Sequence, residues 1–236
     1  MNVFEEIVLE IEEKYSRSDN NIGWRFLTVS KNSLSTNSGI FLITLNPGGR
    51  KEDPKQGKGS CESGCAYITE IWKEGCCPGS STLQRQIQLL FQRIAKYNRY
   101  GYKNYTDLLE NSVCGYYIPF RSPDFKSLKD KKRSLDLGKR IWKQVFINSD
   151  FHLIICIDTI TFSQVKDILS ELNCFEINSR DYDTGWGKYK STVVKYTRNN
   201  QRLTLVRFPH LSRFSIFGRE ASEQRIDTIF NKIFEA

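Results

Sequence analysis

Residues 40–49 have the sequence Ile-Phe-Leu-Ile-Thr-Leu-Asn-Pro-Gly-Gly, and this stretch decides the fold. All but one of the residues before Asn46 are apolar, which is typical of a central parallel strand covered on both faces. Pro47 cannot continue a strand, and the two glycines after it let the backbone turn or approach a ligand. The stretch therefore predicts a strand over 40–45 that leaves Asn46 at its carboxyl end, where open α/β sheets bind ligands. An ordinary strand-to-turn junction is the alternative.

The rest of the chain alternates helical and strand patterns around this strand. Apolar spacing predicts helices over 3–15, from Ser81-Thr82 onward, and over 104–111, 134–149, 160–172 and 219–234. Strands are predicted over 113–120, 151–157, 174–178, 192–197 and 203–208, with a polar turn region over 179–190 and a turn over 198–201. This alternation indicates an α/β fold with a mostly parallel central sheet and flanking helices.

Three of the predicted core strands end on polar loops. These loops have the sequences Asn46-Pro47-Gly48, Pro119-Phe120-Arg121-Ser122 and Pro209-His210-Leu211-Ser212. If the strands are parallel, all three loops meet on one edge of the sheet, so we expect a binding or catalytic site there. The other histidine, His152, lies in the apolar stretch 151–157 and is predicted to be a core or edge residue.

Length and composition suit a single folded domain over 1–236. Residues 1–35 form a predicted N-terminal helix and connection, and 46–81 form a long loop that we expect to cover the site. Residues 1–15 do not resemble an export signal, and no apolar run has the length of a membrane helix. We therefore expect a cytoplasmic protein without membrane contact.

The net charge of +8 favours a polyanionic partner such as nucleic acid, although an indifferent basic surface is the alternative. Seven cysteines cannot all pair within one chain, so we expect reduced thiols. Four of them, Cys61, Cys65, Cys76 and Cys77, have a spacing that does not match zinc sites, and we predict no metal. We also find no P-loop lysine, no G-x-G-x-x-G after a first strand and no G-x-S-x-G, which disfavours nucleotide hydrolases, dehydrogenases and α/β-hydrolases.

Two short motifs resemble those of the uracil-DNA glycosylase superfamily. Leu45-Asn46-Pro47-Gly48 resembles its first motif, in the Asn-Pro-Gly form of the mismatch-specific and single-strand-selective branches. Pro209-His210-Leu211-Ser212-Arg213 resembles its second motif, His-Pro-Ser-Pro-Arg, and the stretch 113–122 takes the place of its base-recognition strand. The resemblance spans roughly residues 36–236. It implies a three-layer α/β/α sandwich that hydrolyses the N-glycosidic bond of uracil or another altered base in DNA.

The resemblance also implies roles for individual residues. Asn46 would position the attacking water, and His210 would stabilise the departing base; no cofactor is needed. An aromatic wall would hold a flipped base, and the candidates are Tyr67, Phe120 and Tyr116, for which core packing is the alternative.

Contacts to DNA are assigned by the same resemblance. The predicted DNA-binding residues are Gly48, Gly49, Arg121, Leu211, Ser212, Arg213 and Phe214, with Lys126, Lys129 and Lys131 as a basic rim. The loop after His210 would enter the duplex with an apolar wedge. We expect a monomer that binds single-stranded DNA or damaged duplex.

The chain departs from the family pattern at two places. Leu211 stands where the second motif has Pro, and Cys114-Gly115-Tyr116-Tyr117 contains no Asn to bind the edge of uracil. A site without that group cannot discriminate its base in the same way. Two alternatives therefore stay open: an inactive module of the same fold that binds DNA or a modified base, and a small-molecule enzyme or protein-interaction domain with coincidental motifs.

Overall fold

The structure, a computed structural model, describes residues 2–50, 57–72, 75–97, 101–102 and 104–235. Its helices are α1 (Val3–Ser16), α2 (Ala66–Thr69), α3 (Thr82–Ala95), α4 (Tyr105–Glu110), α5 (Lys131–Ile147), α6 (Thr159–Glu171) and α7 (Glu220–Phe234). Its strands are β1 (Trp24–Arg25), β2 (Ile40–Thr44), β3 (Gly57–Lys58), β4 (Val113–Tyr116), β5 (Leu153–Ile157), β6 (Phe175–Trp186), β7 (Tyr189–Arg198) and β8 (Gln201–Phe208).

The central sheet has six strands in the order β4-β2-β5-β8-β7-β6. Strands β4, β2, β5 and β8 are parallel, whereas β7 is antiparallel to both of its neighbours. In the register, Phe41 pairs with Val113 on one side and with Ile154 on the other. The mostly parallel sheet predicted from the sequence is therefore confirmed.

Helices cover both faces of this sheet. On one face, Arg140 of α5 bonds Glu10 of α1, and Lys143 of α5 bonds Glu171 of α6. On the other face, Arg93 of α3 is paired with acidic residues of α7, and α2 and α4 contact α3. The architecture is a three-layer α/β/α sandwich, as expected.

The two central strands are buried over their whole length. Every residue of β2 and of β5 is buried, which explains their continuous apolar sequences. Their amino ends are joined where the amide of His152 donates to the carbonyl of Gly39 at 2.9 Å. Gly39 has φ +74°, and a Cβ there would lie 2.1 Å from the His152 ring, so no larger residue fits. His152 thus lies at the sheet edge opposite to the polar loops.

Several local predictions are confirmed. Ser81 caps α3 with a capping box in which Gln84 takes part, and Asp158 caps α6 through the amide of Thr161. The turn between β7 and β8 has Asn199 and Asn200 at positive φ, as a two-residue hairpin turn requires.

Two predicted boundaries are wrong. The strand predicted over 113–120 ends at Tyr116, because the following residues turn toward β1: the carbonyl of Pro119 accepts from Arg25 at 2.7 Å, and Phe120 bridges Trp24. The segment 179–190, predicted as a polar turn, instead forms the second half of β6, the turn after it and the start of β7. Strand β6 is the outer strand, and residues 175–181 are exposed, so the segment 179–190 has no apolar alternation that would predict a strand.

The segment predicted as a loop over 46–81 contains β3 and α2 in its described part. Strand β3 pairs with β1 in a small parallel sheet. Residues 51–56 and 73–74 of the predicted loop lie outside the described residues. Among the helices that the structure describes, none is long and apolar enough to cross a membrane.

Candidate functional site

The carboxyl ends of the four parallel strands lie on one edge of the sheet. Following them in sheet order, β4 leads to Ser122, β2 to Asn46, β5 to Asp158 and β8 to His210. After β2, the next strand of this sheet along the chain, β4, lies on one side of β2. The strand after that, β5, lies on the opposite side of β2. The gap between Asn46 and Asp158 is therefore the topological switch point, the usual binding crevice of such a sheet.

Asn46 is half-buried and is held by its neighbours. Its amide nitrogen donates to Ser122 Oγ at 2.8 Å and to the carbonyl of Pro47 at 3.1 Å. Ser122 is buried, and its hydroxyl donates onward to the carbonyl of Asp124 at 2.8 Å. With its nitrogen held, Asn46 presents its side-chain carbonyl oxygen, a hydrogen-bond acceptor suited to a water or a hydroxyl.

The glycines after Asn46 differ in their surroundings. Gly48 is exposed, and a Cβ there would meet nothing within 4 Å, so its backbone is open to a ligand. A Cβ on Gly49 would lie 3.2 Å from the Cβ of Arg121 and 3.3 Å from Ile22. Arg121 thus packs beside the Asn46 loop, and its Nε is buried without a hydrogen-bond partner in the described part of the chain.

His210 follows β8 and is fixed by a neighbour on its own loop. Ser212 Oγ lies 2.9 Å from His210 Nδ1, and the amides of Arg213 and Phe214 both donate to the His210 carbonyl. Partial burial and the cation of Arg213 lower the pKa of His210, so its ring is neutral at pH 7. If Ser212 donates to Nδ1, the ring proton lies on Nε2, which makes the outward nitrogen a hydrogen-bond donor.

The three aromatic candidates are not equivalent. Tyr67 lies on α2, fully buried, with its ring edge-on to Trp72 at 5.4 Å. Tyr116 ends β4 and is also buried, and burial raises the pKa of both tyrosines, so their hydroxyls remain donors. Phe120 is buried and packs against Tyr15 of α1, with 5.8 Å between the ring centroids.

The loop residues predicted to contact DNA divide into two groups. Leu211 is fully buried in the core and is not exposed as a wedge. Arg213 is exposed, and Ser212 and Phe214 are partly buried beside it. The ring of Phe214 contacts Tyr189 at the start of β7, at 3.9 Å between centroids. The basic rim residues are exposed: Lys126 and Lys129 lie between β4 and α5, and Lys131 is the first residue of α5.

Asp158 also lies at this edge, although no motif in the sequence predicts it as a site residue. Its carboxylate accepts from the amide of Thr161 at 2.8 Å and from its hydroxyl at 2.7 Å. Burial raises the pKa of Asp158 to about 6, against the effect of these bonds and of Arg207. Its backbone has φ 123°, a region strained for any residue but glycine. The signal available in the sequence was the polar residue directly after the apolar stretch 153–157.

An ion-pair network centred on Glu70 holds the segment 57–72 in place. Arg25, which is almost fully buried, binds both carboxylate oxygens of Glu70 at 2.7 and 2.9 Å. Lys58 and the indole of Trp72 also donate to Glu70. This network fixes α2, and with it Tyr67, against the end of β4.

The four clustered cysteines have different environments. Cys61 and Cys65 are buried, whereas Cys76 and Cys77 are exposed. Within the described residues, no group of three or more His, Cys, Asp or Glu side chains is placed to hold a metal ion.

Comparison with known proteins adds no assignment. No protein-family model matches the chain, and a search of curated proteins finds no match.

Proposed function

We propose that the protein is a DNA glycosylase that hydrolyses the N-glycosidic bond of uracil or another altered base. The observation that supports this best is the placement of the Asn46 amide and the His210 imidazole on the same sheet edge, one on each side of Asp158. Both side chains are held by a serine, Ser122 for Asn46 and Ser212 for His210. Held polar groups of this kind favour a transition state because they need no reorganisation.

The reaction needs two groups on opposite sides of the scissile bond. As the bond between C1′ and the base nitrogen breaks, positive charge develops on the sugar and negative charge on the base. Asn46 orients a water toward C1′ through its side-chain oxygen, and a neutral His210 donates from Nε2 to the departing base. The water oxygen bonds to C1′, its proton passes to solvent, and the electron pair of the broken bond leaves with the base.

We extend the proposal to the base through two hydrogen-bond donors, one at the end of β4 and one in the loop after it. The unpartnered Nε of Arg121 and the protonated hydroxyl of Tyr116 are both donors. They favour a base whose exposed edge has carbonyl oxygens rather than amino groups. Since the base must leave the duplex stack, a mismatched or single-stranded site is the least costly substrate.

The deciding experiment is a base-release assay on single-stranded and mismatched oligonucleotides with uracil, hypoxanthine, xanthine or oxidised pyrimidines. We expect alkali-sensitive sites with wild type, and a loss of at least a hundred-fold in rate with Asn46→Ala. Asn178→Ala, an exposed asparagine on the outer strand β6, is the matched control and retains the wild-type rate. Base release by Asn46→Ala at the wild-type rate would overturn the proposal.

A second function is a module of the same fold that binds DNA or a modified base without cutting it. The observation that favours it is the strand β4, which has Cys114, Gly115 and Tyr116 where the resembled family has a base-reading Asn. This function predicts salt-sensitive DNA binding by wild type and Asn46→Ala alike, with no abasic product. Measured base release would exclude it.

A further inference from the structure

The tip of the β6–β7 hairpin lies beside the His210 loop. Because β7 is antiparallel to β8, the end of β6 and the start of β7 lie on the same sheet edge as His210. Here Trp186 and Tyr189 flank the turn residues Gly187 and Lys188. The hairpin was expected to be a polar turn, and nothing in the proposed chemistry uses it.

Aromatic rings join the hairpin to the loop after β8. Phe214 lies 3.9 Å from Tyr189 and 6.3 Å from Trp186, measured between ring centroids. Arg219 lies over the Trp186 ring at 4.6 Å and donates to the carbonyl of Gly185. We call the following set the hairpin surface: Trp186, Lys188, Tyr189, Lys190, Arg213, Phe214 and Arg219.

The hairpin surface combines an open ring with positive charge. Tyr189 is 40% exposed, and Lys188 and Lys190 on either side of it are exposed too. Asp183, which lies opposite Lys190 in the hairpin, is paired with Arg225 at 2.5 Å. The charge left at the tip is therefore positive, which suits a phosphate backbone.

The hairpin is also fixed in place. Thr184 donates to the carbonyl of Tyr189 at 2.6 Å, across the hairpin. Gly185 has φ +73°, and a Cβ there would lie 2.6 Å from the carbonyl of Ala221, so the hairpin packs closely on the start of α7. A fixed ring loses little entropy when a base stacks on it.

We propose that the hairpin surface binds the single-stranded DNA next to the base that Asn46 and His210 receive. A base stacks on the open ring of Tyr189, and Lys188, Lys190 and Arg213 neutralise the adjoining phosphates. This inference rests on the proposed function for its substrate. A single strand fits better than a duplex because paired bases are already stacked and have no free face for an exposed ring.

Fluorescence anisotropy with a labelled single-stranded oligonucleotide that contains no altered base tests the inference. We expect Tyr189→Ala and Lys188→Glu each to weaken binding about ten-fold at low salt. Phe175→Ala and Arg202→Glu are matched controls, because Phe175 is 67% exposed at the far end of β6 and Arg202 is exposed at the opposite end of β8. Both controls keep the wild-type affinity, and Tyr189→Phe, which retains the ring, does too.

The outcomes distinguish this inference from the proposed function, because the probe contains no altered base and reports binding without base release. Base release with unchanged affinity and KM in Tyr189→Ala and Lys188→Glu overturns the inference and leaves the glycosylase intact. If these variants lose affinity and the wild type releases no base, the DNA-binding role of the hairpin surface is supported and the glycosylase proposal is overturned. An equal loss in Arg202→Glu, or equal affinity for duplex, also overturns the inference. Circular dichroism of each variant checks that it is folded.

Discussion

Ser212 Oγ lies 2.9 Å from Nδ1 of His210, on the same short loop after β8. The serine therefore holds the orientation of the ring, and when its hydroxyl donates to Nδ1 the ring proton lies on Nε2. We predict that Ser212→Ala lowers kcat for base release up to about ten-fold with little change in KM, because one hydrogen bond is lost from the transition state. Single-turnover kinetics measures this effect. Ser212→Thr keeps the hydroxyl and is expected to restore most of the rate; equal losses in both variants would contradict the tautomer argument.

The bond from Asn46 to Ser122 gives a second prediction. Ser122→Ala removes the acceptor that holds the Asn46 amide, so we expect base release to slow by about ten-fold, less than in Asn46→Ala. Ser127→Ala is the control, because Ser127 is exposed and bonds only Asp124. A wild-type rate in Ser122→Ala would show that Asn46 needs no support.

Asp158 gives a prediction about pH and stability. Its folded pKa of about 6 lies above the ordinary value of 3.8, so the folded state binds the proton more tightly than the unfolded state. Its contribution to stability is therefore fully present below pH 4 and is lost as the pH rises through 6, by roughly 3 kcal/mol. Urea unfolding of wild type and Asp158→Asn between pH 4 and 7 measures the difference. A difference that does not depend on pH would show that burial does not raise this pKa.

The pKa of Glu70 is shifted in the opposite direction, so its effect on stability has the opposite dependence on pH. Burial alone would raise its pKa, but the bonds from Arg25, Lys58 and Trp72 outweigh burial and lower it. Its contribution is present above about pH 4.5 and is lost as the pH falls. We predict that Glu70→Gln lowers the free energy of unfolding at pH 7 by about 2 kcal/mol, because Arg25 stays buried without its partner.

The control for this change is Glu171→Gln. Glu171 pairs with Lys139 and Lys143 at the protein surface, where an ion pair contributes less than about 1 kcal/mol. Chemical unfolding of both variants gives the comparison. Equal losses would mean that the burial of Arg25 has no effect on the strength of its ion pair.

The parallel half of the sheet could be predicted because burial is visible in the sequence. The stretches 40–45 and 153–157 are apolar except for Thr44, and each is followed by a polar residue, Asn46 or Asp158. Only the first part of the outer strand β6 could be predicted, as the strand over 174–178, because the polar residues that follow leave no apolar period. Its pairing depends on β7, which only the fold brings beside it.

The candidate site was predicted in part, for a related reason. Asn46, Ser212 and His210 follow core strands, so topology alone brings them to one edge. The direction of Phe120 depends on its bridge to Trp24, and Leu211 is buried by packing far away in sequence. A helix cap and a site residue have the same sequence signature, so the sequence does not distinguish Asp158 as a site residue.

The strand order also sets the sequence of events during folding. Strands β6, β7 and β8 are neighbours along the chain and are joined by tight turns, whereas Ile40 of β2 pairs with Leu153 across more than a hundred residues. Since long loops close slowly, we expect the antiparallel ribbon to form first and the β2–β5 pair to form late. Pulse-labelled hydrogen exchange would detect this order. The crevice between Asn46 and Asp158 then exists only in chains that have finished folding, so a partly folded chain has the antiparallel ribbon but not the crevice.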